Sequence, residues 1–274
     1  MLCFLGLSVY AQEAPPPEPG QHSLVGALNL TQVQLEDWAQ GGENSLSWAL
    51  NLDGKSENDL PKTNWATTYK FAFAQTKLGD LGVRKTDDKI DLETLFTYKV
   101  GVYVNPYVAA TAKTQFAKGF DYPEDGGKVE RSKFFDPGYL TQSAGLGYEP
   151  TPQVKTRIGV ALREIVASEF AASFTDDSET VDELEKTQVD GGLESVTDVA
   201  WNLKENILVT SKLEIFSAFS NFTDAVVRND TNIAVKVSKY ITVNFNTQIV
   251  SDTTASPHVQ IKETLSLGLN YTLF

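Results

Sequence analysis

Residues 64–74 read NWATTYKFAFA, with Trp65, Thr67, Tyr69, Phe71 and Phe73 in one phase and Asn64, Ala66, Thr68, Lys70 and Ala72 in the other. Side chains of a strand alternate between two faces, so this is a strand with one apolar and one polar side. The pattern recurs along the chain. Leu46, Trp48, Leu50 and Leu52 alternate with Ser45, Ser47, Ala49 and Asn51. Ile90, Leu92, Thr94, Phe96, Tyr98 and Val100 alternate with Lys89, Asp91, Glu93 and Lys99. Val154, Ile158, Val160 and Leu162 alternate with Lys155, Arg157 and Arg163, and Ile241, Val243, Phe245 and Ile249 with Thr242, Asn244, Asn246 and Gln248.

A soluble β-sandwich shows the same alternation and buries its apolar faces between two sheets. Three features favour lipid as the solvent of the apolar face. The segments run to about ten residues or more, where ordinary strands have about 5–6. Tight connections near Val104–Pro106, Glu149–Gln153, Asn202–Asn206 and Ser238–Tyr240 alternate with long polar ones at Ala117–Gly138 and Ala167–Gln188. Shorter loops fall near Gly79–Asp88, Asn221–Arg228 and Ser251–Pro257. Aromatics with a polar handle (Trp38, Tyr98, Tyr103, Tyr107, Tyr148, Trp201, Tyr240 and Tyr271) gather near segment ends, as in an interfacial girdle. These features predict an all-β transmembrane antiparallel barrel of about 12 strands, of the outer-membrane type, with short turns in the periplasm and long loops outside. Gly54–Lys62 is awkward in this scheme, as an over-long periplasmic connection.

The first residues, MLCFLGLSVYA, form an apolar run ending in small residues, followed by a proline-rich stretch. The predicted organisation is a signal peptide over residues 1–11 that lacks its basic start, a linker over 12–23 and the barrel over 24–274. Cys3, the single cysteine, would leave with that leader, and the mature chain would carry no disulfide and no thiol chemistry. A net charge of −13 argues against a nucleic-acid partner, which needs a basic footprint.

The last strand alternates Leu265, Leu267, Leu269, Tyr271 and Leu273 with Thr264, Ser266, Gly268, Asn270 and Thr272, and ends on Phe274. A terminal aromatic after such a strand resembles the signal read by barrel-insertion machinery, although Phe274 falls in the polar phase. Lipid, lipopolysaccharide, that machinery and other envelope proteins are therefore the expected partners. The stretches WAQGGEN (38–44), RKTDDKIDL (84–92), TQFAKGFDYP (114–123), FFDPGYL (134–140) and IKETLSLGLNYTLF (261–274) resemble an uncharacterised family of outer-membrane barrels from Bacteroidetes-type bacteria. The resemblance implies the barrel and its location and no activity. Read from the residues, Gly41-Gly42 after Trp38 and before Asn44 suits a tight turn between the first two strands. Arg84, Lys85, Asp87, Asp88 and Lys89 suit a mixed-charge rim that pairs with itself and its neighbours.

Catalytic and metal chemistry find little footing, and no cofactor, metal site or enzymatic activity is expected. His22 and His258 form no ligand-spaced pair, and a rim enzyme would have to bring His258 to Asp87 or Asp88 from separate loops. Asp121, Glu124, Asp125, Asp176, Asp177 and Glu179 supply oxygens without the regular spacing of a calcium loop.

The polar face is more informative. If the apolar phase meets lipid, the lumen receives Lys70, Lys89, Lys99, Lys113, Lys155, Arg157, Arg163, Lys212, Lys236 and Lys262 against Asp91, Glu93, Glu194, Asp198 and Glu214. Two functions follow. Unpaired, Lys113, Lys155, Arg157, Arg163, Lys212 and Lys236 would line a narrow pore that favours anions. Paired off, they would hold a non-conducting barrel rigid as a structural or accessory subunit of an envelope complex.

Overall fold

A computed structural model describes residues 20–36, 43–123, 127–176, 184–253 and 258–272. The strands are β1 (Gln21–Val33), β2 (Ser45–Asp59), β3 (Thr63–Leu78), β4 (Val83–Tyr98), β5 (Val104–Thr114), β6 (Gly119–Asp121), β7 (Val129–Ser132), β8 (Gly138–Thr151), β9 (Val154–Val166), β10 (Thr187–Lys204), β11 (Ile207–Ala218), β12 (Val226–Lys236), β13 (Ile241–Ser251) and β14 (Gln260–Thr272). Twelve of them close into an antiparallel barrel in the cyclic order β1-β14-β13-β12-β11-β10-β9-β8-β5-β4-β3-β2, while β6 and β7 form a separate hairpin in the loop after β5. A 3₁₀ turn at Gly79–Leu81 and a single helical turn, α1 (Ala171–Phe174), lie in other loops. No described helix is long and apolar enough to cross a membrane; the strands do the crossing.

The two phases separate as alternation requires. On β9, Ile158 and Val160 are 59% and 57% exposed on the outer wall, while Arg157 and Arg163, on either side of them in sequence, are 6% and 8% exposed inside. Trp65, Tyr98, Tyr103, Tyr148, Trp201 and Tyr240 ring the short-turn end from outside. Tyr107 leaves the expected girdle: it points inward and is buried, its hydroxyl lying where a side chain on Gly159 would otherwise stand. Of Tyr271 only the strand backbone is described, and Trp38 lies outside the described residues.

Several expected boundaries move. The connection at Gly54–Lys62 shrinks to residues 60–62, because β2 continues to Asp59. Gly54 keeps its place in the strand by leaving room for the Tyr69 ring of β3, which occupies the position a Cβ would take. The tight turn near Val104–Pro106 lies at residues 99–103. The loop expected over Gly79–Asp88 ends at Gly82, so Asp87 and Asp88 are strand residues. Between β1 and β2 the connection spans residues 34–44, longer than the tight turn expected there; Trp38, Gly41 and Gly42 lie outside the described residues. Asn44 closes the described end, its side-chain oxygen accepting from Leu35 N at 2.6 Å and its carbonyl from Gly79 N at 2.8 Å. β1 begins at Gln21, ahead of residue 24; the leader, 1–11, lies outside the described residues.

Candidate functional site

The site is built on β4. Asp87, Lys89, Asp91 and Glu93 occupy successive inward positions of that strand, about 7 Å apart at two residues per repeat. Each has partners, and most lie across the lumen. Asp87 accepts from Lys262 of β14 at 2.5 Å. Lys89 reaches Asp230 at 3.2 Å on β12, the strand diametrically opposite β4 in the ring, and lies 3.7 Å from Asp91. Glu93 takes a two-pronged contact from Arg157 of β9, 3.2 and 3.0 Å, and a third from Lys212 of β11 at 2.5 Å. Beside this cluster Lys113 of β5 bridges to Glu214 of β11. Arg–carboxylate pairs of this fork geometry are among the stronger polar contacts, and stronger still away from bulk water.

These cross-beams span the lumen. A cavity of about 1,020 Å³ opens from the short-turn end and follows β4 past Glu93 to Lys89 and Asp87. Toward the long loops a small pocket of about 50 Å³ lies among Lys113, Tyr139, Arg163, Glu194, Glu214, Phe216 and Arg228. That half is packed with inward Ala109, Ala161, Ile165, Val196 and Phe216, all buried. The loop after β13 adds a lock: buried Asp252 accepts from Arg163 at 2.8 Å and lies 3.7 Å from Arg228.

The candidate pore bases therefore do not act as one set. Arg157, Lys212 and Lys113 belong to the waist, and Arg163 to the lock. Lys155 sits in the open cavity with Glu149 at 3.3 Å, both well exposed. Lys236 ends β12 at the short-turn rim, exposed, and forms no ion pair among the described residues. The expected basic excess of the lumen is also corrected. Asp53, Glu57, Asp59, Asp87, Glu149 and Asp230 join Glu93 and Asp198 along the cavity, balancing Lys55, Lys70, Lys89, Lys99, Lys155, Arg157 and Lys212. Glu57 and Asp59 fall in the expected Gly54–Lys62 connection, which is strand as far as Asp59.

A second cluster joins three of the sequence motifs on the outer wall. Asp88 of β4 falls in the lipid-facing phase, yet it is covered: its carboxylate accepts from Phe116 N at 2.7 Å, Ala117 N at 2.8 Å and Lys85 Nζ at 2.8 Å. Phe116 then lies edge-on against Phe71 and Phe73. Arg84 stacks over Tyr122 at 4.1 Å. Gln115 donates to the carbonyls of Lys133 and Asp136, and the Asp136 carboxylate accepts from Ser168 N and Glu169 N at 2.8 and 2.9 Å. Asp87 and Asp88 thus stand on opposite faces of β4, each engaged. In the acidic loops, Asp121 pairs with Arg131 at 2.7 Å and Asp176 accepts from Glu185 N at 3.2 Å, while Glu124, Asp125, Asp177 and Glu179 lie outside the described residues. Among the described residues no group of His, Cys, Asp or Glu is disposed to hold a metal ion.

A barrel closed in one ring of strands, with an apolar outer wall and a polar, charged interior, is a transmembrane β-barrel of the Gram-negative outer-membrane class. More particularly, residues 30–120, which include the whole β4 ladder, match the family described as "Protein of unknown function (DUF3078)". No curated protein matches the chain. Among solved structures it is similar to the translocator domain of autotransporter NalP from Neisseria meningitidis (11% identity over 94% of this chain and 90% of that one, TM-score 0.40). It is also similar to the NanC porin (7% identity, 90% and 98%, TM-score 0.40) and to an outer membrane channel from Pseudomonas putida F1 (12% identity, 97% and 99%, TM-score 0.40). The likeness is one of barrel architecture.

Proposed function

We propose that the protein is a non-conducting outer-membrane barrel, without enzymatic activity, that serves as a structural or accessory subunit of an envelope complex. The observation that carries this is the waist: Glu93, Arg157 and Lys212 meet from three strands in the middle of the lumen. A permeating ion would have to part these pairs, and each parted charge would be left in a narrow, poorly hydrated space. The polar cavity would open to the periplasm, given the usual placement of short turns. Its near-balance of acids and bases gives it little reason to prefer anions. Reconstitution of the purified full-length barrel in planar bilayers tests the proposal. Silence is expected; stepwise, anion-selective conductance would replace it with the pore.

A second reading rests on that same cavity of about 1,020 Å³, which is large enough for a small polar solute. In it the barrel is a channel whose waist opens on a signal, and conductance would appear only under an applied potential or a bound partner.

A further inference from the structure

The barrel is not sealed equally all round. Every other neighbouring pair of barrel strands is in register over at least eight residue pairs, and β1 pairs with β2 over thirteen. Between β1 and β14, among the described residues, the ladder covers five, from Val25↔Thr272 to Asn29↔Gly268. Continuing that register would set residues 30–33 of β1 against 267–264 of β14, but no pairing forms there. Both strands remain extended, each held by its other neighbour, through Leu30↔Trp48 on β2 and Phe245↔Leu265 on β13.

This gap lies within the apolar belt. Leu265, 74% exposed, is the most exposed apolar side chain on any described strand, with Leu30 and Leu267 close behind at 67% and 64%. On each edge, alternate residues present N–H and C=O groups toward the gap. In hydrocarbon there is no water to satisfy them, which is why membrane barrels close. Such an edge is a template for another strand, with backbone pairing supplying affinity and alternate side chains supplying fit.

We propose that the unpaired part of the β1–β14 junction is a strand-docking edge, and that its occupant is an extended segment of a second polypeptide, apolar in alternate positions, that pairs with residues 264–267 of β14. The chain's own beginning is poorly suited to the place. It joins β1 at the opposite, short-turn end, and its Pro15, Pro16, Pro17 and Pro19 have no N–H to give to a ladder. The proposal deepens the accessory-subunit reading by naming where a partner attaches.

Two cysteine pairs in a full-length Cys3→Ser background test the gap itself. Leu28→Cys with Leu269→Cys, register partners, should oxidise to a disulfide nearly completely. Leu30→Cys with Leu267→Cys should close at most about one tenth as far, since bridging requires Cα atoms within about 7 Å. Equal closure would show a junction that zips by itself and would overturn the proposal. The occupant's chemistry is tested with a synthetic peptide copying residues 26–33, GALNLTQV, titrated onto the barrel carrying an environment-sensitive dye at Leu265→Cys. A saturable emission shift is expected, lost when two alternate residues of the peptide are replaced by proline. No saturable shift, or an equal shift with the proline peptide, would mean lipid or apolar adhesion only and overturn it. Neither experiment reads conductance, so a conducting barrel with a docking edge, or a silent one without it, would be told apart.

Discussion

Lys155 and Arg157 are two residues apart on the inward face of β9, and the barrel treats them differently. Lys155 is more than half exposed in the wide, short-turn half of the lumen, beside an exposed glutamate. Arg157 is almost wholly enclosed, held by Glu93 and 5.8 Å from the Tyr107 ring. A charge in a wet cavity is screened and cheap to change, whereas one in a dry waist is costly to leave unpartnered. Depth along the barrel axis, more than residue type, therefore decides what an inward base does. The short-turn half holds an open vestibule lined by polar and charged side chains, and toward the long loops buried side chains are stitched by ion pairs.

Glu93→Ala breaks this contrast hardest. It strands Arg157 and Lys212 together, and should destabilise the barrel by about 3–5 kcal/mol, the range for removing one member of a buried ion pair. A lower urea midpoint and earlier loss of heat-modifiable migration would show it. Next comes the wall. Val160→Arg sets a charge against lipid and should cost about 2–4 kcal/mol in folding into vesicles. Thr68→Arg, in the vestibule on the other face of the sheet, should cost far less, and equal costs would mean that the inward and outward phases are misassigned. Asp88→Asn should cost about 1–3 kcal/mol, because Lys85 loses its counter-charge and the loop at Phe116 loses acceptor strength; protease sensitivity near residue 116 should rise with it. Lys155→Gln should be nearly silent, at most about 1 kcal/mol, as for other exposed pairs.

The wall and its phases were legible in the sequence because alternation needs no partner to be recognised. Phe71, Val160 and Leu267 announce lipid by their own spacing. Where an outward position is not apolar the signal fails, and that failure has a cause. Gly54, Ser56 and Asn58 made the end of β2 look like a loop, yet Tyr69 of the next strand covers Gly54, and the lumen acids Glu57 and Asp59 were hidden along with it. Asp88 sat in the lipid phase because a loop nearly thirty residues on folds back over it. The waist was invisible for a different reason. Glu93 and Lys212 are 119 residues apart, and Lys89 and Asp230 are 141 apart. Only closure of the barrel makes them neighbours, so the inward bases could be read from the sequence but their pairing could not.

We propose that the β4 cross-beam keeps the lumen shut. The most direct test of this is current through planar bilayers for the wild type and for the triple variant Glu93→Ser/Arg157→Ser/Lys212→Ser, which removes the waist pairs without leaving a charge of that cluster stranded. A closed waist predicts a silent wild type and a variant that still folds, still shifts on heating and passes ions. Steady conductance by the wild type, unchanged when the three side chains are removed, would contradict it.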